Sequence, residues 1–264
     1  MNTLTLTKHH GLGNDFLVAF HPEVDDLAAL AVKLCNRRTG IGADGLLIGE
    51  SAENYAAEMV LYNADGSIAE MSGNGIRCFA QALAMRSGSL DPQLILTGAG
   101  DRHVTLRATD DPRRIDAQVD MGEVTPLAEP SGWAALECNP DRPVSHLSMG
   151  NPHSVVGVDD VLAVDLDDLG ARVPHVNLEI VEPGPEAHGI TMRVHERGAG
   201  ITQACGTGAC ASAFAAQSWG LVPATAPETI VHMDGGTATV SFDGSRAVLT
   251  GPAVYIATIE VDRP

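Results

Sequence analysis

Short runs along the chain alternate apolar and polar residues: AEMVLYN (57–63), HVTLRA (103–108), RIDAQVD (114–120), SHLSMG (145–150), ITMRVHE (190–196), ATVSFDG (238–244) and AVYIATIEV (253–261). A period of two turns one face inward and the other toward water, so these runs predict strands. Two stretches break the alternation. After the turn MSGNG, the residues Ile76, Phe79, Ala80 and Leu83 follow helical spacing as far as Gly88, a residue suited to a left-handed stop. After ACGTG, residues 208–218 are Ala-rich and apolar nearly all round until Gly220, which predicts a buried helix. A lesser helix over Asp26–Cys35 is expected on the surface.

The two helix-opening turns belong to a longer internal match. Residues 62–75, YNADGSIAEMSGNG, align without gaps to residues 195–208, HERGAGITQACGTG. The alignment pairs Asn63 with Glu196, Ile68 with Ile201, Ser72 with Cys205, Gly73 with Gly206 and Gly75 with Gly208. GLGNDF (11–16) likewise resembles SMGNPH (148–153), setting Asn14 against Asn151 at nearly the same offset. The chain therefore reads as a duplication of the α+β class. Two pseudo-symmetric halves are expected, each a mixed β-sheet curled barrel-like around a central helix. Residues 1–116 with 253–264 form the half that carries Ser72, and residues 117–252 form the half that carries Cys205.

Composition narrows the function. The 264 residues are 44% hydrophobic but only 4% aromatic, so the core must be built from small and aliphatic side chains. A net charge of −18 argues against nucleic-acid partners, which need clustered Lys and Arg. It also means that an anionic substrate must be held by local donors. No run of about 18 apolar residues predicts a membrane span. The N-terminus MNTLTLTKHH lacks the layout of a signal peptide. The five cysteines (35, 78, 138, 205, 210) are odd in number and lack framework spacing, which suits free thiols in a cytoplasmic protein. His9, His10 and His195 show no metal-ligand spacing, so no metal is expected. The Gly-x-Gly turns lack a P-loop lysine and the dinucleotide fingerprint, so no phosphate-bearing cofactor is expected either.

A residue just before Gly-x-Gly at a helix start sits beside unpaired backbone N–H groups and the positive end of the helix dipole. There the Cys205 thiolate is expected to be favoured, and a substrate carboxylate can dock on the same donors because glycine has no Cβ to block it. If the halves pack about a pseudo-two-fold axis, both turns face one small acid from opposite sides. That suits removal of a proton from one face of a carbon and its return to the other. Cys78 lies nearly two helical turns beyond Ser72, too far to serve the same carbon, and with Cys210 is expected to be a packed thiol. His153 is expected to buttress the pocket.

HGLGNDF (10–16), NADGS with GNGIRCFA (63–80), MGNPHSVV (149–156) and ERGAGITQACGTGACA (196–211) together resemble the diaminopimelate epimerase family over most of the chain. The resemblance implies two related barrel-like halves and epimerisation of LL- to meso-diaminopimelate in lysine and peptidoglycan-precursor synthesis. It implies two cysteine bases, no pyridoxal phosphate and no other cofactor, and a homodimer. Carried over by position, Cys205 is one catalytic residue and Ser72 falls on the other. Asn14, Asn63, Asn151, Asn177, Glu196 and Arg197 fall on substrate-binding positions. Gly73 with Asn74 and Gly206 with Thr207 fall on the backbone donors for the α-carboxylate. Glu196 and Arg197 match the ammonium and carboxylate of the substrate's far end.

Three departures stand out: Ser72 for a cysteine, Gly45 where some members have glutamine, and Ile201 where an acidic residue is usual. A serine hydroxyl is a poor base unless a neighbour such as the Glu70 carboxylate or a water activates it. The alternatives are a same-fold racemase or dehydratase acting on another amino acid, or a chain inactivated by serine at one base position.

Overall fold

The computed structural model describes residues 3–263. The chain folds as two compact units, one running through Val119 and resuming at Gly251, the other spanning Asp120–Thr250. Among the described residues, no helix is long and apolar enough to cross a membrane.

The first unit contains β1 (Thr3–Gly11), β2 (Asn14–Phe20), α1 (Leu27–Cys35), β3 (Gly45–Glu50), β4 (Ala57–Asn63), β5 (Ile68–Ala69), α2 (Gly73–Ser87), β6 (Gln93–Thr97), β7 (Gly100–Ala108) and the start of β8 (Arg114–Glu123). The second contains β9 (Thr125–Pro126), a 3₁₀ turn (Trp133–Leu136), β10 (Val144–Ser148), β11 (Pro152–Gly157), α3 (Leu166–Arg172), β12 (Asn177–Pro183), β13 (Gly189–Glu196), β14 (Gly200–Thr202), α4 (Gly206–Ser218), β15 (Thr229–Met233), β16 (Gly236–Asp243) and the start of β17 (Arg246–Asp262). The chain passes between units within β8 and within β17.

Each unit is a closed mixed barrel, and the two share one plan. In the first, β1 pairs antiparallel with β2, β2 parallel with β3, β3 antiparallel with β4, β4 parallel with β6, and β6, β7 and β8 follow antiparallel. The end of β17 closes the ring, antiparallel to β1 and paired to β8; Tyr255 N–H donates to Arg113 O at 2.8 Å. In the second unit β10, β11, β12, β13, β15, β16 and β17 repeat the series, with parallel steps at β11/β12 and β13/β15. There β17 meets β8, and β9 meets β10. The duplication read from the two turns thus extends to every strand pairing.

A central helix fills each barrel: α2 packs on β1, β2, β3, β4 and β7, and α4 on β10, β11, β12, β13, β15 and β16. Ala209, Ala211, Ala213, Ala215 and Ala216 are all fully buried, so α4 meets its ring mostly through small side chains, with Phe214 packed on Phe242 of β16. Helix α1 lies on the surface, as expected for 26–35, with Ala29, Val32 and Lys33 exposed, and buries its other face. Leu30, Ala31, Leu34 and Cys35 of α1 are buried in a core formed with Leu17, Ala19, Leu46 and Ile48. That helix seals the outer face of β2 and β3, and α3 does the same for β11 and β12 through Leu166. Strands covered on both faces show no alternation, which is why FLVAF and GLLIG carry no period of two.

Not everything around α2 is apolar. Arg77 is fully buried, with Nη1 donating to Gly73 O (3.0 Å), Nη2 to Asn74 Oδ1 (2.6 Å) and Nε to Pro252 O (3.3 Å). Gly11 and Gly251 leave room for it: a Cβ on either would stand 3.2 Å from the guanidinium. His9 is equally buried. Its Nδ1–H donates to Gln81 Oε1 at 2.8 Å while Gln81 Nε2 donates to Arg113 O, and its Nε2 has no partner.

Burial, partly offset by the Gln81 hydrogen bond, brings the His9 pKa down to about 4. The folded state keeps this ring neutral to that pH, whereas the unfolded chain protonates it near 6.5. Protons therefore favour the unfolded state, and stability falls as pH drops from 6.5 toward 4, by about 3 kcal/mol from this one group. Urea unfolding of the parent and His9→Phe across that range checks this. An identical acid slope in both proteins removes His9 as the cause.

Candidate functional site

Ser72 and Cys205 hold the same local position. Each is the N-cap of its unit's central helix in extended backbone, at φ −139, ψ 123 for Ser72 and φ −125, ψ 116 for Cys205. Each side chain accepts from a backbone N–H three residues on, Gly75 N to Ser72 Oγ at 3.0 Å and Gly208 N to Cys205 Sγ at 3.4 Å. Little room is left for a side chain at Gly75 or Gly208. A Cβ at Gly75 would sit 3.0 Å from Ser72 Cβ, and one at Gly208 would sit 2.7 Å from Glu179 Oε1.

In the first unit the buried Asn74 follows Gly73 in the turn. Asn74 Nδ2 donates to Asn14 Oδ1 (3.2 Å), and Asn14 Nδ2 donates to Asp44 Oδ2 (2.7 Å). Arg37 bridges Asp44 and Asp15, and Lys8 adds an ion pair to Asp15 at 2.9 Å. Asn14 and Asn74 are thus brought together beside Ser72. Asn63 ends β4, with Nδ2 donating to Ser67 Oγ. Ser72 Oγ has no hydrogen bond to Glu70, whose side chain is exposed, so activation by that carboxylate gains no support. Gly45 is closed to any side chain, since a Cβ there would lie 2.8 Å from Tyr62 O. Ile201 is exposed.

The second unit is more polar beneath its turn. Cys205 Sγ lies 3.4 Å from Thr207 Oγ1, which accepts from Asn151 Nδ2 at 3.4 Å. Asn151 Oδ1 faces His153 Nε2 at 3.0 Å, and His153 Nδ1 meets Glu179 Oε1 at 2.6 Å. Asn177 Nδ2 donates to Pro152 O, and its Oδ1 accepts from Arg197 N–H at 2.9 Å. Glu196 accepts from Thr202 Oγ1 at 2.5 Å, and the Arg197 side chain is exposed. Asn151, Asn177, Arg197 and Thr207 are therefore gathered around the turn that starts with Cys205 and the buried Gly206.

The thiol is not the ready thiolate that a helix start suggests. Burial pushes the Cys205 pKa well above its ordinary value, with Glu196 and Glu179 pushing the same way. The Thr207 and Gly208 donors act in the expected, lowering direction but are outweighed. Cys78 is fully buried and pushed up to about 12 by that burial, so it is no substitute for a second base. Glu179, a carboxylate inside the strand run NLEIVE, was the residue overlooked. Its signal was an acid flanked by Leu178 and Ile180. Among the described residues, no group of three or more His, Cys, Asp or Glu is placed to hold a metal ion.

The family model for diaminopimelate epimerase matches residues 6–127 and 145–256. The chain belongs to the diaminopimelate epimerase family. The diaminopimelate epimerase of Methanocella arvoryzae is 38% identical over 99% of both chains, and that of Desulfitobacterium hafniense is 37% identical over 96% of both. Solved structures share the fold at low identity. A Bacillus anthracis phenazine biosynthesis protein of the PhzF family gives a TM-score of 0.74 at 16% identity, covering 99% of both chains. A hydroxyproline epimerase from Agrobacterium vitis with bound trans-4-hydroxy-L-proline gives 0.71 at 14%, covering 100% of this chain and 94% of that one. The fold of these structures agrees with membership of the diaminopimelate epimerase family.

Proposed function

We propose that this protein interconverts LL- and meso-diaminopimelate without a cofactor, in lysine and peptidoglycan-precursor synthesis. The observation that carries the reading is the Cys205 turn: a thiol capping a buried helix, bonded to Gly208 N–H and Thr207, in a chain related to diaminopimelate epimerases over its whole length. Cys205 takes the α-proton from one face of the carbon or returns it there, and the opposite face is assigned to Ser72. Negative charge that develops on the α-carboxylate is met by the N–H groups of Gly206 and Thr207 and of Gly73 and Asn74, donors fixed before the reaction starts. Asn14, Asn63, Asn151 and Asn177 fix the substrate by hydrogen bonds, and Glu196 and Arg197 take the ammonium and carboxylate of its far end.

The test is exchange of the α-hydrogen of LL- or meso-diaminopimelate in D₂O, followed by NMR. Exchange with interconversion is expected; folded protein that exchanges nothing at any pH overturns the reading. Ser72 favours one further reading, a one-base lyase that turns a hydroxylated amino acid into a keto acid. Absence of keto acid across a panel of such substrates excludes it. The proposed setting is cytoplasmic and the proposed assembly a homodimer. Light scattering that gives only the 27.5 kDa chain mass would refute the dimer.

A further inference from the structure

Glu179 and His153 are both fully buried and touch at 2.6 Å, yet the chemistry above uses neither. The first unit has no counterpart to them. By strand register His153 stands opposite Asn177 as Phe16 stands opposite Gly45, and Glu179 stands opposite Val155 as Leu47 stands opposite Val18. Space confirms the second equivalence. A Cβ at Gly208 would meet Glu179 Oε1, while a Cβ at Gly75 would meet Leu47 Cδ2 at 3.5 Å. The barrel can therefore be built with an apolar pair here, and only the Cys205 unit replaces it with an ionisable one.

We infer that Glu179 is a positioning residue for Cys205: through His153 it holds the Asn151 amide in the orientation that leaves the Thr207 hydroxyl to donate to the sulfur. The reasoning follows the direction of each bond. Asn151 Oδ1 only accepts, so the facing His153 Nε2 must carry a hydrogen. The Nδ1 contact to Glu179 holds one further proton, on the ring or on the carboxyl. Burial raises the Glu179 pKa and so favours keeping that proton in the pair. With Oδ1 engaged, Asn151 Nδ2 donates to Thr207 Oγ1, and the Thr207 hydrogen points to Cys205. Without Glu179 the ring is free to carry its hydrogen on Nδ1. The Nε2 lone pair then repels Oδ1, the amide turns over, and Thr207 donates to Asn151 in place of the sulfur.

The charged groups that bear on the thiol are Glu196 on β13 and Glu179 itself on β12, both working against the thiolate; His153 on β11 reaches it only through Asn151. Orientation and charge therefore make opposite predictions, which decides the test. The inference rests on Cys205 as the acid/base group, but thiol reactivity needs no substrate. A failure here is thus distinct from a failure of the epimerase reading.

The experiment measures iodoacetamide alkylation of Cys205 against pH on the full chain, resolved by peptide mass spectrometry. Glu179→Leu and Thr207→Val are each expected to raise the midpoint by about one unit, a tenfold slower reaction at fixed pH below it. Combined, they should do no more than Thr207→Val alone. Glu179→Gln keeps a hydrogen bond to the ring and removes the charge, so its midpoint should stay or fall. If Glu179→Leu does not fold, His153→Phe with Glu179→Leu copies the Phe16 and Leu47 pair of the other unit and carries the same expectation. A midpoint lowered in the leucine variant, or effects of Glu179→Leu and Thr207→Val that add, overturns the inference.

Discussion

Cys205→Ser lowers α-proton exchange on diaminopimelate by about 10²- to 10⁴-fold, the span that a positioned acid/base group contributes. Substrate binding, measured by calorimetry, stays close to that of the parent. The substitution changes one atom at a cap whose backbone already suits serine, because Ser72 holds the same geometry in the other unit. Helix and turn therefore survive, and what is lost is the proton affinity of sulfur. Each pKa unit by which an alkoxide is harder to form than a thiolate costs about 1.36 kcal/mol. The helix end returns at most about 2 kcal/mol in a partly buried geometry. The raised Cys205 pKa sharpens the expectation. Among the charges acting against the thiolate Glu196 is the first, and the ammonium proposed to sit on Glu196 would offset it. A Cys205→Ser protein that exchanges at the parental rate would remove Cys205 from the chemistry.

The reach of the sequence is clearest where structure is periodic or repeated. AEMVLYN is β4 residue for residue, and ITMRVHE lies within β13, because buried and partly buried positions alternate along both strands. AVYIATIEV marks only the last part of β17, which begins at Arg246. FLVAF, GLLIG and SVVG are buried on both faces in β2, β3 and β11, and nothing in their composition separates such strands from short helices. The Gly-x-Gly turns were legible because cap chemistry is local. The protonation of Cys205 was not, since Glu179 and Glu196 approach from strands distant in sequence and burial comes from the whole barrel. Asn14 and Asn74 illustrate the same limit. Their shared hydrogen bond joins residues on β2 and α2, and the Asp44 that holds Asn14 lies outside every quoted motif.

Ser72→Cys raises α-proton exchange by about 10²-fold or more, if the hydroxyl is what limits the reaction. The change should leave the fold intact: a sulfur at this cap still accepts from the Gly75 N–H, as Cys205 accepts from Gly208 at the longer 3.4 Å distance. Sulfur at position 72 would also enter a different field from the one at 205. No buried carboxylate lies under its glycine, where Leu47 replaces Glu179, and its side chain is only half-buried. Both differences remove causes that hold the Cys205 thiol up, so the new thiol should titrate below Cys205, which parallel alkylation of the two peptides against pH would read directly. Equal exchange rates in the parent and Ser72→Cys would instead mark the hydroxyl as sufficient for its step. The rate would then be set on the Cys205 side, where Thr207→Val and Glu179→Leu should slow it and Ser72→Cys should not restore it.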